Sequence, residues 1–160
     1  MSQARTDPAP ALESRAALGH CRGMARSDYP FSHRFRVRYS EVDPQSVVFN
    51  SRYLEYADLV LTEYWRKAGI NAAAGGEFDC HVVRAVVEYR KPIRADEEVD
   101  GLMRLVRIGN SSISFAIALH GADAEDLRAE IELVYVHVDL GDGKPRTIPP
   151  AVRAAFEATI

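Results

Sequence analysis

Cysteine is scarce in this sequence, with only Cys21 and Cys80 among 160 residues. Two cysteines cannot build the disulfide framework that stabilises small secreted domains. The five histidines have no metal-ligand spacing with these cysteines. We therefore expect both thiols to be reduced, and we expect no bound metal ion.

Long apolar runs are also missing, so the sequence predicts neither a signal peptide nor a membrane-spanning helix. The net charge is only −3, whereas proteins that bind nucleic acid or anionic membranes are usually basic. With 47% hydrophobic and 27% charged residues, the composition is that of an ordinary globular domain. We predict one cytoplasmic domain with neither nucleic acid nor membrane as a partner.

The first 30 residues have no sustained apolar period and are rich in Ala, Pro, Ser and Arg. This composition is typical of a flexible or loosely attached arm, which we assign to residues 1–30. Translation from Met24 is an alternative to a genuine arm, and mass spectrometry of the native protein distinguishes the two. The folded domain is expected to cover residues 31–160.

A period-two pattern begins the domain. Phe35, Val37 and Tyr39 alternate with arginines, which is typical of a half-buried strand with a basic outer face. Asp43 and Pro44 end this strand, because proline cannot donate a backbone hydrogen bond and restricts the residue before it.

A long helix pattern follows. Asn50 or Ser51 is expected to cap it with a side-chain oxygen, and Gly69 to end it in a left-handed conformation. On the charged face we expect an ion pair between Glu63 and Lys67. The other face carries apolar residues at steps of three and four: Tyr53, Tyr56, Ala57, Val60, Tyr64, Trp65 and Ala68.

The rest of the chain is dominated by strand patterns with short links, among them a hairpin signal at Gly109-Asn110. The predicted elements are strands at 81–92, 98–108, 112–120 and 128–139 and a terminal helix at 152–158. One long helix followed by consecutive strands predicts an α+β fold, with an antiparallel sheet of about five strands around the helix.

Common catalytic motifs are absent: no glycine-rich phosphate loop and no G-x-S-x-G elbow occur. His120 and His137 are expected to be ordinary polar or half-buried strand residues, and Cys80 a packing residue rather than a nucleophile.

Two remaining residues form a candidate site. Alone, Asp43 is an ordinary turn residue and Asn50 an ordinary helix cap. Together they are more informative, because free N–H groups at a helix start can hold an oxyanion. A nearby carboxylate can attack a carbonyl carbon or activate water. This combination suits acyl transfer to water.

The run Arg38-Tyr-Ser-Glu-Val-Asp43-Pro-Gln-Ser-Val-Val-Phe-Asn50-Ser-Arg-Tyr53 resembles the signature of the hotdog-fold acyl-CoA thioesterases, in their 4-hydroxybenzoyl-CoA thioesterase-like branch. The usual form is Asp, two residues, Gly, then Val-Val-Tyr/Trp and a polar pair before a Tyr. A weaker match covers residues 87–99, and the resemblance spans residues 31–148.

The resemblance implies a hotdog fold and a homodimer or homotetramer with active sites at the subunit interface. It implies hydrolysis of an acyl-CoA to a carboxylic acid and CoA, without a cofactor because CoA is part of the substrate. On the matching positions, Asp43 is the nucleophile or general base, and the amide at Asn50 polarises the thioester carbonyl. Phe49 and Ser51 line the same helix start, and Ser46 and Tyr53 are further candidate substrate contacts. Tyr53 matches the family's Tyr on the first helical turn, which we interpret as mainly structural.

The sequence departs from the family pattern at two positions. Ser46 stands where Gly is usual, so the loop must avoid a glycine-only conformation or be slightly strained. Asn50 stands where many relatives have His. The CoA phosphates have three candidate partners, which can equally be solvated surface charges: Arg90, Lys91 and Arg94.

Two other functions stay open at this stage. A binding module could hold acyl-CoA or an acyl carrier without hydrolysing it. Hydration of an enoyl thioester is a second alternative, but that branch pairs an Asp with a nearby His, and no His follows Asp43 until His81.

Overall fold

The structure is a computed structural model that describes residues 24–76 and 78–159. Its antiparallel sheet contains β1 (Phe31–Arg36), β2 (Cys80–Tyr89), β3 (Glu98–Ile108), β4 (Ser112–Gly121) and β5 (Leu127–His137). The helices are α1 (Arg52–Ala68), α2 (Ile70–Ala73) and α3 (Pro150–Glu157). The strand order is β1-β3-β4-β5-β2, so β1 and β2 are the edge strands. The predicted α+β hotdog architecture is confirmed.

The first strand ends earlier than the alternation predicts. β1 stops at Arg36, and Tyr39–Glu41 forms a 3₁₀ turn. Val37 is buried as predicted, but Tyr39 is 77% exposed. The N–H of Val37 still bonds to the Glu97 carbonyl, 2.9 Å away. The turn then redirects the chain out of the sheet and toward α1.

Helix α1 packs its apolar face on the sheet and buries Tyr53, Tyr56, Ala57, Val60, Leu61 and Tyr64. It lies close to β3 at Gly101, where an added Cβ would overlap the Cγ2 atom of Val60. Glycine is therefore required there for the helix to lie against the strand.

The predicted end of α1 is confirmed, and its predicted start is not. Gly69 is left-handed with φ of 67°. Ser51 occupies the N-cap position with helical dihedral angles, and its side chain makes no capping bond. A side-chain cap is absent because the backbone closes this turn itself, with the Arg52 N–H bonded to the Phe49 carbonyl at 2.9 Å.

The ion pair predicted between Glu63 and Lys67 is wrong. Glu63 pairs with Arg66 instead, because a partner three residues away on a helix competes directly with one four residues away. The Lys67 ammonium lies over the Phe31 ring, 5.4 Å from its centroid.

Residues 24–30 differ from the predicted loose arm. Arg26 bonds to the Asp100 carboxylate at 2.7 Å. Tyr29 is buried and packs with Leu102 and Ala118. Strand alternation places these two residues on the sheet face opposite α1. The arm interpretation therefore fails for this segment, while residues 1–23 lie outside the described residues.

The predicted basic outer face of β1 is largely neutralised. Arg34 bonds to Asp100 at 2.7 Å and to Asp123 at 2.6 Å. Arg36 bonds to Glu98 at 2.8 Å. Cross-strand carboxylates therefore occupy these guanidinium groups.

Candidate active site

The acidic turn is closed by its own aspartate. Asp43 Oδ1 accepts the N–H of Gln45 at 2.8 Å and that of Val47 at 3.4 Å. The Asp43 N–H donates to the Val47 carbonyl at 2.8 Å. Oδ2 makes no hydrogen bond to the part of the chain that the structure describes, and the residue is partly exposed. One carboxylate oxygen thus fixes the turn, and the other is available.

Ser46 adopts the conformation that glycine tolerates best, with φ of 61°. The sequence left two outcomes for Ser46, a loop that avoids a glycine-only conformation or a slightly strained loop. The structure has the strained loop. An L-residue pays about 1–2 kcal/mol in this region.

The start of α1 presents free amides. Val42 and Val48, on either side of the acidic turn, form an antiparallel bridge. The chain then continues into the helix. The Phe49 N–H donates a hydrogen bond to the Glu41 carbonyl at 3.0 Å. The N–H groups of Asn50 and Ser51 bond to no residue in the described ranges, and both residues are exposed. This is the arrangement expected of an oxyanion site at a helix N-terminus.

A groove of about 470 Å³ opens beside this helix start, lined by Val47, Val48, Asn50, Tyr53, Tyr89, Arg90, Lys91 and Pro92. Of the predicted site residues, it brings together Asn50, Tyr53, Arg90 and Lys91. The other five do not line it: Asp43, Ser46, Phe49, Ser51 and Arg94. The acidic turn still contributes one wall through Val47 and Val48.

Tyr89 also lines the groove, and the sequence did not predict it as a candidate site residue. Its ring stands edge-on to the ring of Tyr53, 4.8 Å between centroids. Its hydroxyl donates to the Asn50 carbonyl at 3.1 Å. The side chain is 52% exposed at the end of an edge strand. In the sequence, the one signal for this residue was an aromatic side chain at a strand end followed by two basic residues.

Two of the three candidate phosphate partners are already paired. Arg90 bonds to Glu130 at 2.6 Å, and Lys91 bonds to Asp126 at 2.7 Å. Arg94 is exposed, and no carboxylate among the described residues pairs with it. Arg94 therefore has the freest positive charge of the three.

Other reactive side chains are set apart from this site. Burial, with a smaller effect of Asp79, raises the pKa of the Cys80 thiol to about 12, so Cys80 is not a nucleophile at neutral pH. His120 and His137 are 2% and 9% exposed. Both are therefore buried, which corrects their interpretation as ordinary polar or half-buried strand residues. Within residues 24–76 and 78–159, no three His, Cys, Asp or Glu side chains are grouped to hold a metal ion. None of the helices described is both long and apolar enough to cross a membrane.

Comparisons with known proteins identify the family of this chain. A family model of the thioesterase-like superfamily matches residues 37–156. The acyl-CoA thioester hydrolase YbgC of Escherichia coli is 29% identical over 124 residues, covering 76% of this chain and 92% of that protein.

Solved structures show the same fold. The PA5185 protein of Pseudomonas aeruginosa gives a TM-score of 0.76 at 26% identity, over 84% of this chain and 94% of that one. A Thermus thermophilus thioesterase crystallised with coenzyme A and zinc gives 0.70 at 27% identity, over 82% and 94%.

The family match covers the acidic turn, α1 and strands β2 to β5. The predicted resemblance to hotdog-fold thioesterases is confirmed, and with it the assignment as a thioester hydrolase at the level of the family. The roles of the individual site residues stay predictions. The chain belongs to the thioesterase-like superfamily.

Proposed function

We propose that this chain hydrolyses an acyl-CoA thioester to the free carboxylic acid and CoA, with Asp43 as nucleophile or general base. One observation carries the proposal: the unpaired N–H groups of Asn50 and Ser51 at the start of α1, beside an apolar groove. The name of the E. coli relative describes this reaction, and the Thermus relative was crystallised with coenzyme A.

The helix start stabilises the charge that develops during attack. As the thioester carbon becomes tetrahedral, its oxygen becomes negative, and fixed amides at a helix N-terminus can hold it. With Asp43 as general base, the carboxylate removes a proton from water, whose oxygen attacks the carbonyl carbon. The C–S bond then breaks, and the CoA thiolate receives the proton.

The nucleophilic route uses the same groups in two steps. The free Oδ2 of Asp43 attacks the carbonyl carbon, and CoA leaves as the thiolate. Water then hydrolyses the mixed anhydride and regenerates the carboxylate. Both routes require one unpaired carboxylate oxygen and an oxyanion donor, which is what the turn and the helix start supply.

The groove suits an apolar or aromatic acyl group, because valine, proline and tyrosine side chains form most of its wall. Arg94 lies on the turn that bridges to Val47, where its unpaired charge can attract a CoA phosphate. A reducing cytoplasm is the compartment that suits the free thiol of Cys80.

We further propose that the working enzyme is a homodimer or homotetramer. β2 is an edge strand whose Val82 and Val83 are 51% and 53% exposed. An exposed apolar edge is a template for pairing with another chain. A second copy on this edge would lie next to Tyr89 and would complete the groove.

The direct test is a panel of aliphatic and aromatic acyl-CoAs with free thiol as the readout. On the best substrate, Asp43→Asn is expected to lower kcat by at least about 100-fold. Asn keeps an oxygen for the Gln45 N–H, so the turn is retained. Asp96→Asn is the matched control, because Asp96 is an exposed turn residue whose one ion pair among the described residues is with Arg36. Wild-type turnover in Asp43→Asn contradicts the mechanism.

The same panel separates hydrolysis from binding. Calorimetry with each acyl-CoA and with CoA measures affinity independently of turnover. Tight binding without thiol release from any substrate would assign the chain to the non-catalytic alternative, an acyl-CoA or acyl-carrier binding protein.

A further inference from the structure

Glu41 connects the acidic turn to the body of α1. Its Oε2 accepts the Tyr56 hydroxyl at 2.8 Å and the Arg38 backbone N–H at 2.8 Å. Its backbone carbonyl accepts the Phe49 N–H at 3.0 Å. Glu41 lies two residues before Asp43, so one residue ties the strand end, the acidic turn and the helix start together.

The bond to Tyr56 is a strong one for its type. Tyr56 is 4% exposed, and a buried phenol without a partner costs about 1–3 kcal/mol. Burial first and the bond to Glu41 second raise the pKa of Tyr56, so it donates as the neutral phenol. A hydroxyl bonded to a carboxylate is charge-assisted and roughly twice as strong as a neutral bond.

No other side-chain hydrogen bond joins residues 38–49 to α1 in the part of the chain described. The turn is also held by the Val48 N–H, which bonds to the Ile93 carbonyl at 2.8 Å, and by a bridge between Val47 and Arg94. Those bonds fix the turn to the loop before β3. They do not reach α1. Among the described residues, the other hydrogen bond between residues 38–49 and the helix is the backbone bond from the Arg52 N–H to the Phe49 carbonyl.

We propose that Glu41 is a positioning residue, which through Tyr56 holds the Asp43 carboxylate in register with the amides at the start of α1. The inference rests on the proposed thioesterase function. The family resemblance assigns no role to Glu41, whereas this inference assigns it a positioning role. A reacting carboxylate misplaced by about 1 Å can cost about 100-fold in rate, so a stiff connection between turn and helix sets kcat rather than substrate affinity.

The test compares Glu41→Ala, Glu41→Gln and Tyr56→Phe. Glu41→Ala and Tyr56→Phe are expected to lower kcat by about 10-fold to 100-fold with KM within about twofold. Glu41→Gln keeps an oxygen for both donors and is expected to restore most of kcat. The double variant Glu41→Ala/Tyr56→Phe should lose no more than Glu41→Ala alone, because the two residues act through one bond.

Tyr64→Phe is the matched control. Tyr64 is a buried tyrosine on the same helix, and its hydroxyl bonds to Thr159, far from the turn. Its loss should lower the melting temperature and leave kcat unchanged. If Glu41→Ala behaves like Tyr64→Phe, or if Glu41→Gln is as slow as Glu41→Ala, the positioning role is wrong.

Amide hydrogen exchange gives a readout that needs no activity. Glu41→Ala and Tyr56→Phe should accelerate exchange of the Val47 and Phe49 amides, while Tyr64→Phe should not. Unchanged protection of these amides overturns the inference even if no substrate is found. Absence of turnover in the wild-type protein, with accelerated exchange in both variants, would instead overturn the proposed function alone.

Discussion

Ser46 holds a backbone conformation that costs an L-residue free energy. We expect Ser46→Gly to raise the free energy of unfolding by about 0.5–1 kcal/mol, because relief of the left-handed strain exceeds the extra entropy that glycine loses on folding. Urea unfolding measures the change. Ser46→Ala keeps the strain and should gain nothing; an equal gain in both variants would contradict this explanation.

His120 makes stability depend on pH. Burial, and next the charge of Arg26, lower its pKa, and Glu125 and Asp126 act weakly in the opposite direction. In the unfolded chain the His120 imidazole takes up a proton near pH 6.5, whereas in the folded chain it does so only at lower pH. The free energy of unfolding therefore falls as pH drops below about 6.5.

Chemical unfolding between pH 7.5 and 5 tests this expectation. His120→Gln should show a flatter dependence than the wild type in that window, whatever its absolute stability. Asp100 acts in a separate window: bonds from Arg34 and Arg26 lower its pKa despite its burial. Its stabilisation is lost only as pH falls below about 4. Identical slopes in the two proteins between pH 7.5 and 5 would contradict the role of His120.

The candidate site residues predicted from the sequence differ from those added by the structure in the range of their contacts. Asp43 and Asn50 lie within one continuous motif, so a local pattern identifies them. The bond from Tyr89 to Asn50 spans 39 residues, and that from Tyr56 to Glu41 spans 15. Such contacts are formed by the folded sheet and leave no spacing in the sequence.

At the scale of elements, the contact between α1 and β3 has no spare volume. We expect Gly101→Ala to destabilise the fold by about 1–3 kcal/mol, because the new methyl overlaps Val60. Thermal and urea unfolding measure the loss. In the Val60→Ala background the added methyl has room, so the same substitution should cost much less there; equal costs in both backgrounds would contradict the overlap.

The period of the apolar residues predicted the helix and the strands well, because the residues that face a packing partner recur at the period of the element. The stripe on α1 is buried against the sheet as its period predicts. The large residues that alternate along β4 are also buried, but β4 and β5 are buried on both faces over most of their length. The cap of α1 and the end of β1 were missed because competing backbone bonds decide them. The attachment of Arg26 was missed because its partner, Asp100, is 74 residues away.

At the scale of the whole molecule, a monomer leaves Val82 and Val83 exposed on the edge strand β2. We expect light scattering to give the mass of a dimer or tetramer. Replacing Val82 and Val83 with Lys should reduce that mass, because charge on an edge strand opposes pairing. Leu140→Lys is the control, since Leu140 is 66% exposed in a loop. A monomeric wild-type protein contradicts the expectation.

The high pKa of Cys80 has a consequence for an enzyme whose product is a thiol. Because burial raises the pKa of Cys80 to about 12, this thiol stays protonated at pH 7. Exchange with a disulfide requires the thiolate. Oxidised CoA that accumulates around the protein would therefore not become covalently attached at Cys80, and the fold protects this thiol from the redox chemistry of its own proposed product.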